Sequence, residues 1–249
     1  QAKSRAQLSA TPEEIILDVN ALAEGKSFLS VTVTKPSPDH SKLAYLQNET
    51  GTDRYTLYIK DLVTGNLLPE YIENVFIGGS LEWASDDYLF YVTVDEKQRP
   101  YQLFRHRLGE RNDTLIFEET DEAFYLHVFK SDSAAYLFAS SSSLDTSEIL
   151  YLRTDQPTAA WRVFAPRTKG VEYKLEHHNE HFLITTNETA PNFKLLSTPV
   201  HHIEREHWLE HFPQNDDVLL DGVAVFEGHW LLHGRKKGLT HLWAYDDRS

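Results

Sequence analysis

The chain is built from short runs in which apolar and polar residues alternate, separated by Gly, Pro, Asp and Ser. Such alternation is typical of β-strands with one buried face, and the intervening residues favour tight turns. Five prominent runs occupy residues 42–47, 88–94, 135–140, 181–186 and 229–233. They begin 46, 47, 46 and 48 residues apart, which indicates a repeating structural unit.

Other strand-like segments keep the same spacing. Apolar anchors of a following strand recur 46, 46, 46 and 47 residues apart, at Leu57, Leu103, Ile149, Leu195 and Leu242. A further strand is predicted at residues 67–72, 114–118, 161–165 and 207–212, and a first strand precedes each turn. Four strands in a unit of about 46 residues predict an all-β fold, the β-propeller, whose small blades must stack to form a core. A β-sandwich with evenly spaced strands is the alternative.

The repeat divides the chain into about five four-stranded blades of one partial propeller domain. The predicted blades span residues 26–74, 76–121, 123–168, 171–213 and 218–249, and the fifth stops after its third strand. Residues 1–25 are predicted to hold the end of a preceding blade, with residues 14–17 as its last strand. They also contain the capping-box pattern Thr11-Pro12-Glu13-Glu14. We expect a short N-terminal helix between Asp18 and Ala23, ended by Gly25.

Composition limits the partners that such a domain would bind. The chain has 249 residues and a formal net charge of -14, with 41% hydrophobic residues, so we expect a globular domain that does not bind nucleic acid. No apolar stretch is long enough for a membrane helix, and no signal peptide is recognisable. With no Cys and no Met, the chain is interpreted as a piece of a longer cytoplasmic protein, the periplasm being the alternative.

Acidic residues concentrate in the links between predicted blades. Strand parity places these links at the same end of the propeller as the loops between second and third strands. We therefore predict an acidic rim there, made of Glu118, Glu119, Asp121, Glu122 and Asp95. A rim of one charge sign would attract basic peptides. The alternative interpretation is an ordinary solvated surface.

Candidate catalytic and metal-binding motifs are weak. His207-Trp208-Leu209-Glu210-His211 matches H-x-x-E-H, but on a strand its two histidines would lie about 13 Å apart, too far for one zinc ion. No G-x-S-x-G nucleophile turn is present. Glu82 and Glu172 are the pair that a propeller glycosidase would need. We predict no catalytic residue, no metal site and no cofactor in this chain.

Several segments resemble the propeller of the prolyl oligopeptidase family of serine peptidases, in its oligopeptidase B branch. They occur in order from about Glu13 to Leu242. The matching segments are EEIILDVNALA at 13–23, SPD at 37–39, YTL at 55–57, RPYQLFRHRLG at 99–109, IFEETD at 116–121, TSE at 146–148, NFKL at 192–195 and RKKGLT at 235–240.

This resemblance implies a bacterial parent enzyme that cleaves short peptides after Arg or Lys. In the family, a seven-bladed propeller covers an α/β-hydrolase domain that carries the catalytic Ser, Asp and His. The hydrolase domain has no counterpart here, so none of its catalytic residues can be assigned. The resemblance predicts a gating and substrate-selecting domain that is inactive alone, with that hydrolase domain and basic peptides as partners. A freestanding propeller that binds proteins is the alternative.

Overall fold

The computed structural model describes residues 13–78 and 80–246, and nearly all of its regular structure is antiparallel β-sheet. Blades 1 and 2 contain four strands each, and the single pairing of Val75 with Thr93 joins them into one eight-stranded sheet. Blades 3, 4 and 5 contain four, four and three strands, and each is a separate sheet with its strands in chain order. The predicted all-β propeller with about five blades is confirmed.

The strand bounds show the repeat directly. Blade 1 contains β1 Ser30–Pro36, β2 Lys42–Asn48, β3 Tyr55–Asp61 and β4 Leu67–Val75. Blade 2 contains β5 Leu81–Trp83, β6 Tyr88–Val94, β7 Pro100–Arg107 and β8 Thr114–Glu118. Blade 3 contains β9 Tyr125–Lys130, β10 Tyr136–Ser142, β11 Ser147–Arg153 and β12 Arg162–Val163. Blade 4 contains β13 Tyr173–His178, β14 His181–Thr186, β15 Lys194–Pro199 and β16 Leu209–Phe212, and blade 5 contains β17 Val218–Phe226, β18 His229–Lys236 and β19 Leu239–Asp246.

The hydrophobic clusters lie between blades. One cluster joins blades 1 and 2 around Leu57 and Trp83, and a second joins blades 2 and 3 around Phe90 and Leu137. A third, rich in aromatic rings, joins blades 3 and 4 around Phe182. A smaller cluster joins blades 4 and 5. Each blade thus buries apolar side chains against a neighbouring blade, as expected for blades too small to form a core alone.

The predicted short helix is present as α1, Val19–Ala23. The Asp18 carboxylate accepts hydrogen bonds from the backbone N–H groups of Asn20 and Ala21, each at 3.0 Å, so Asp18 is the N-cap. Gly25 follows the helix with φ of +74°, a conformation that glycine adopts readily. Residues 14–17 do not form the predicted strand, and Thr11 and Pro12 lie outside the described residues.

Some predicted details were wrong at the outer strands. Leu242 is 67% exposed; the neighbouring Trp243 packs against the blade 4–5 cluster instead. Alternation in β19 puts these two residues on opposite faces. The predicted strand at 207–212 starts at Leu209, because Arg205–His207 form a 3₁₀ turn. Within the described ranges, no helix has the length and apolar character needed to cross a membrane.

Candidate functional site

The first strand of each blade is the inner one. β1 contacts β5, β5 contacts β9, and β13 contacts β17, so these strands approach one another around the propeller axis. In a propeller, the inner strands surround a central channel. Their polar side chains are therefore the candidates for contact with anything that enters it.

One position recurs on the inner strands at intervals of 47 residues, and it is charged in three of blades 1 to 4. It is occupied by Lys35, Glu82, Phe129 and Glu176, which pair across the sheet with Ala44, Phe90, Phe138 and Leu183. Each of those four partners is the third residue of its second strand. The 47-residue spacing of this position was thus present in the sequence. It can be recognised only once the pairing of the first and second strands is known.

Lys35 and Glu82 form an ion pair between blades 1 and 2. The Lys35 Nζ lies 2.6 Å from Glu82 Oε1, and the Glu82 side chain is only 10% exposed. The Trp83 indole N–H donates to the Lys35 carbonyl at 2.9 Å, which fixes the backbone at the same junction. Burial lowers the pKa of Lys130 on blade 3, while the nearby Glu82 carboxylate opposes that shift. This sector therefore carries two lysines and one carboxylate.

The next sector is acidic. Glu176 Oε1 accepts hydrogen bonds from the backbone N–H groups of Asp132, at 3.0 Å, and His177, at 2.6 Å. Burial raises the pKa of Glu176 to about 7, and the Asp132 carboxylate adds to the shift. Asp132 Oδ2 itself accepts from the Val225 N–H at 2.8 Å, which links blade 3 to blade 5. The charges near the axis are therefore divided into sectors.

Glu119, predicted as a rim residue, is instead buried. It is 3% exposed, and its Oε2 lies 2.6 Å from Arg167 Nη2 and 2.5 Å from Ser141 Oγ. Burial alone would raise its pKa, but the hydrogen bonds from Arg167 and Ser141 lower it overall. Arg167 also lies over the Phe124 ring at 4.0 Å and reaches Glu148 at 3.3 Å. Glu119 therefore joins blades 2 and 3, and its charge is neutralised within the protein.

Asp95 likewise belongs to a structural cluster. Its carboxylate accepts from the Arg99 backbone N–H at 2.9 Å and from the Arg99 side chain at 3.2 Å. Burial opposes these bonds, yet the pKa of Asp95 is lowered overall. Arg99 Nη1 also donates to the carbonyls of Glu119, Asp121 and Phe124, so it fixes the link between blades 2 and 3. Arg99 and Arg167 are the basic partners that composition alone could not locate.

The remaining rim residues are exposed. Glu118 accepts from Gln102 Nε2 at 2.7 Å, and the Asp121 carboxylate accepts from the Ala123 N–H at 2.9 Å. Glu122 forms an exposed ion pair with Lys97 at 2.8 Å, an arrangement that contributes little energy in water. Glu118 and Asp121 are thus the predicted rim residues that are exposed and whose carboxylates, in these contacts, accept only from uncharged donors.

The H-x-x-E-H motif is split between two environments. His211 Nε2 lies 2.7 Å from Ser197 Oγ on β15, and burial lowers the pKa of His211. His207 lies in the 3₁₀ turn, where one ligand atom from each of His202, Glu204 and His207 falls within 4.8 Å of the others. The sequence did not reveal this grouping, because His202 lies outside the motif. For the suggested glycosidase pair, Glu82 is already bonded to Lys35.

Comparison with known proteins identifies the family. The protein-family model for the N-terminal β-propeller domain of prolyl oligopeptidase matches residues 1–249. The chain belongs to this family. Protease 2 of Moraxella lacunata is 47% identical over 99% of this chain and 36% of its own length. Dipeptidyl aminopeptidase BI of Pseudoxanthomonas mexicana is 33% identical, over 92% of this chain and 32% of its own length.

Solved structures agree with that assignment. Oligopeptidase B from Leishmania major superposes with a TM-score of 0.88 at 30% identity, covering 98% of this chain and 34% of the other. Oligopeptidase B from Trypanosoma brucei, with covalently bound antipain, gives 0.86 at 29% identity, covering 95% of this chain and 34% of the other. The chain spans about a third of the length of these relatives, so the resemblance to oligopeptidase B is confirmed for a propeller segment.

Proposed function

We propose that this chain is the gating, substrate-selecting propeller of a bacterial serine oligopeptidase that cleaves short peptides after Arg or Lys. The observation that carries the proposal is the 47% identity to Protease 2 over 99% of the chain. In this proposal the chain carries no catalytic residue, and the chemistry belongs to an α/β-hydrolase domain of the same parent protein. Its role is physical selection of the substrate.

Selection by size would follow from how the blades are joined. Hydrophobic clusters fill the space between neighbouring blades, and polar contacts such as Lys35–Glu82 tie the inner strands together. A propeller held in this way admits an extended peptide near its axis or edge, whereas a folded domain is too wide to enter. The propeller would thereby protect folded proteins from the parent enzyme.

Selection by charge would depend on a smaller set of residues than the predicted rim. Glu118 and Asp121 keep exposed carboxylates, and Asp132 and Glu176 form an acidic sector near the axis. Lys35 and Lys130 lie in the neighbouring sector. We propose that basic side chains of a peptide are drawn toward the acidic groups, since unpaired charge of one sign raises the local concentration of its counter-ion.

A chimera tests the gating role. Residues 1–249 would replace the matching segment of Moraxella lacunata Protease 2, and hydrolysis of a short Arg peptide would be compared with cleavage of the same sequence in a folded protein. We expect the chimera to cleave the peptide and spare the folded protein, and the isolated chain to cleave neither. Cleavage of both substrates at similar rates by the chimera would contradict the gating role; peptide hydrolysis by the isolated chain, sensitive to a serine reagent, would contradict its non-catalytic role.

The charge component has its own test in the same chimera. The double variant Glu118→Gln/Asp121→Asn keeps the side-chain shapes and the turn hydrogen bond while removing two charges. We expect kcat/KM for an Arg peptide to fall a few-fold at low salt, with a weaker salt dependence. The matched control is Glu180→Gln/Glu227→Gln, whose residues lie in turns at the opposite end of blades 4 and 5. Equal effects of the two double variants would rule out steering by the rim.

A further inference from the structure

A cluster of three side chains lies in the connection between β15 and β16, outside the surfaces assigned to peptide selection. We propose that His202, Glu204 and His207 form a binding site for Zn²⁺ or a chemically similar divalent transition metal. Each residue offers one ligand atom, and these atoms all lie within 4.8 Å of one another. The His202 and His207 rings are 5.1 Å apart between centroids.

The three ligand atoms suit a metal ion of intermediate hardness such as Zn²⁺, which binds both nitrogen and oxygen ligands. Two imidazole nitrogens and one carboxylate oxygen are ligands that Zn²⁺ accepts at about 2.0–2.2 Å, with water completing a tetrahedron. In that geometry, neighbouring donors are about 3.4 Å apart. All three side chains are exposed, so small rotations can bring the donors together without disturbing packing. Mg²⁺ and Ca²⁺ prefer sites made of oxygen ligands and fit this set poorly.

The backbone that carries the three ligands is already fixed. The His202 N–H donates to the Pro199 carbonyl at 3.0 Å, and Thr198 Oγ1 donates to the His202 carbonyl at 2.5 Å. The His207 N–H donates to the Glu204 carbonyl at 2.9 Å, and the Trp208 indole N–H donates to the Ile203 carbonyl at 2.9 Å. Ordering of the chain is therefore largely complete before a metal binds, which favours affinity.

The neighbouring cation, Arg205, has partners outside the cluster. Arg205 pairs with Glu188, and its guanidinium lies 5.0 Å from the centre of the Trp208 ring. The Glu204 carboxylate is therefore available to a cation. A bound metal would connect His202, just after β15, with His207, just before the four-residue strand β16. The expected consequence is a more stable outer edge of blade 4.

Calorimetric titration of the chelator-treated chain with ZnCl₂ tests the site. We expect one Zn²⁺ per chain, and a loss of affinity of at least about 10-fold in each of His202→Ala, Glu204→Gln and His207→Ala. The matched control is His201→Ala. His201 is an exposed histidine next to the cluster but outside it, and its Nε2 lies 4.0 Å from Glu180 Oε2. This variant should bind Zn²⁺ like the unchanged chain.

Thermal unfolding supplies a second measurement that does not depend on heats of binding. Zn²⁺ should raise the midpoint temperature of unfolding of the original chain and of His201→Ala. It should not alter the midpoint temperature of His207→Ala. Circular dichroism without metal establishes that each variant folds. The proposal is overturned if the unchanged chain binds no Zn²⁺, if His201→Ala weakens binding as much as the cluster variants, or if all variants bind equally. MgCl₂ should produce neither effect.

Discussion

At the residue scale, Glu119 shows how burial changes the meaning of an acidic run. Its neighbours Glu118, Asp121 and Glu122 are exposed, whereas Glu119 is enclosed with Arg167, Ser141 and Glu148. Arg167 lies 48 residues farther along the chain, so no local pattern identifies it as the partner. The acidic residues of this link can be read directly from the sequence, but which of them turns inward depends on contacts between blades.

Removing Arg167 should destabilise the fold. Arg167→Ala leaves the Glu119 carboxylate buried without its cationic partner, and we expect a loss of about 3 kcal/mol in the free energy of unfolding. Urea unfolding at neutral pH measures this value. The control is Arg153→Ala, which breaks the exposed pair with Asp155 in the same blade and should change stability by less than about 1 kcal/mol. Equal losses in the two variants would contradict the structural role of Arg167.

Glu176 should make stability fall as pH rises. Its pKa is about 7 in the folded chain against 4.5 for the ordinary carboxyl, so the folded state holds more protons than the unfolded state between those values. Stability then decreases through that interval, by on the order of 3 kcal/mol in total. Glu176→Gln keeps an oxygen for the Asp132 and His177 N–H groups and should remove most of this decrease.

Urea unfolding at pH 5 and pH 8 measures the difference. The matched control is Glu180→Gln, which changes an exposed carboxyl in the following turn and should retain the pH dependence of the unchanged chain. Glu119 acts in the opposite direction, because its pKa is lowered and its contribution is lost as pH falls below the ordinary carboxyl range. A Glu176→Gln curve parallel to that of the unchanged chain would contradict the prediction.

At the element scale, strand prediction succeeded where packing imposes a regular pattern. The second strands of blades 2, 3 and 4 are buried by both neighbouring blades, and all five second strands begin at or within one residue of the predicted positions. The fourth strands lie at the outer edge of each blade, where the alternation of apolar and polar residues predicts strand bounds less well. In blade 3, a predicted five-residue strand is reduced to Arg162–Val163, with Phe164 turned into the blade 3–4 cluster.

A polar cluster joins the second and third strands of blade 2 to the loop before the fourth. Tyr91 on β6 donates to Asp113 Oδ2 at 2.5 Å, and His106 Nδ1 on β7 lies 2.8 Å from Asp113 Oδ1. Burial raises the pKa of Tyr91, and its bond to Asp113 adds to the shift, so the phenol stays protonated. Tyr91→Phe keeps the ring stacked on Phe104 but removes the donor.

We expect Tyr91→Phe to lower the free energy of unfolding by about 1–2 kcal/mol, since a hydrogen bond to a partly buried carboxylate is lost. The control is Tyr125→Phe, at a half-exposed position on β9, which should be nearly neutral. Chemical denaturation with a fluorescence readout compares them. Equal stability of the Tyr91→Phe variant and the unchanged chain would show that the Tyr91–Asp113 contact does not stabilise blade 2.

At the scale of the whole molecule, the position of the hydrophobic clusters predicts how the blades unfold. Phe182 on β14 contacts the rings of Tyr136, Phe138 and Tyr151 on blade 3, besides packing within its own blade. Because this cluster is shared, its loss should loosen two blades together. The repeat period predicted the number of blades, but it could not show which aromatic residues meet across each junction.

Phe182→Ala should remove about 3–5 kcal/mol of stability by leaving a cavity in the shared cluster. Hydrogen exchange measured by mass spectrometry should show faster exchange in β10 and β11 of blade 3 as well as in β14 and β15 of blade 4. The control is Leu144→Ala, because Leu144 is 98% exposed in a loop of blade 3 and should leave exchange unchanged. Acceleration confined to blade 4 would mean that the blades open independently. A response in both blades would instead support a propeller that excludes folded proteins, since a gate of this kind requires neighbouring blades that stay joined.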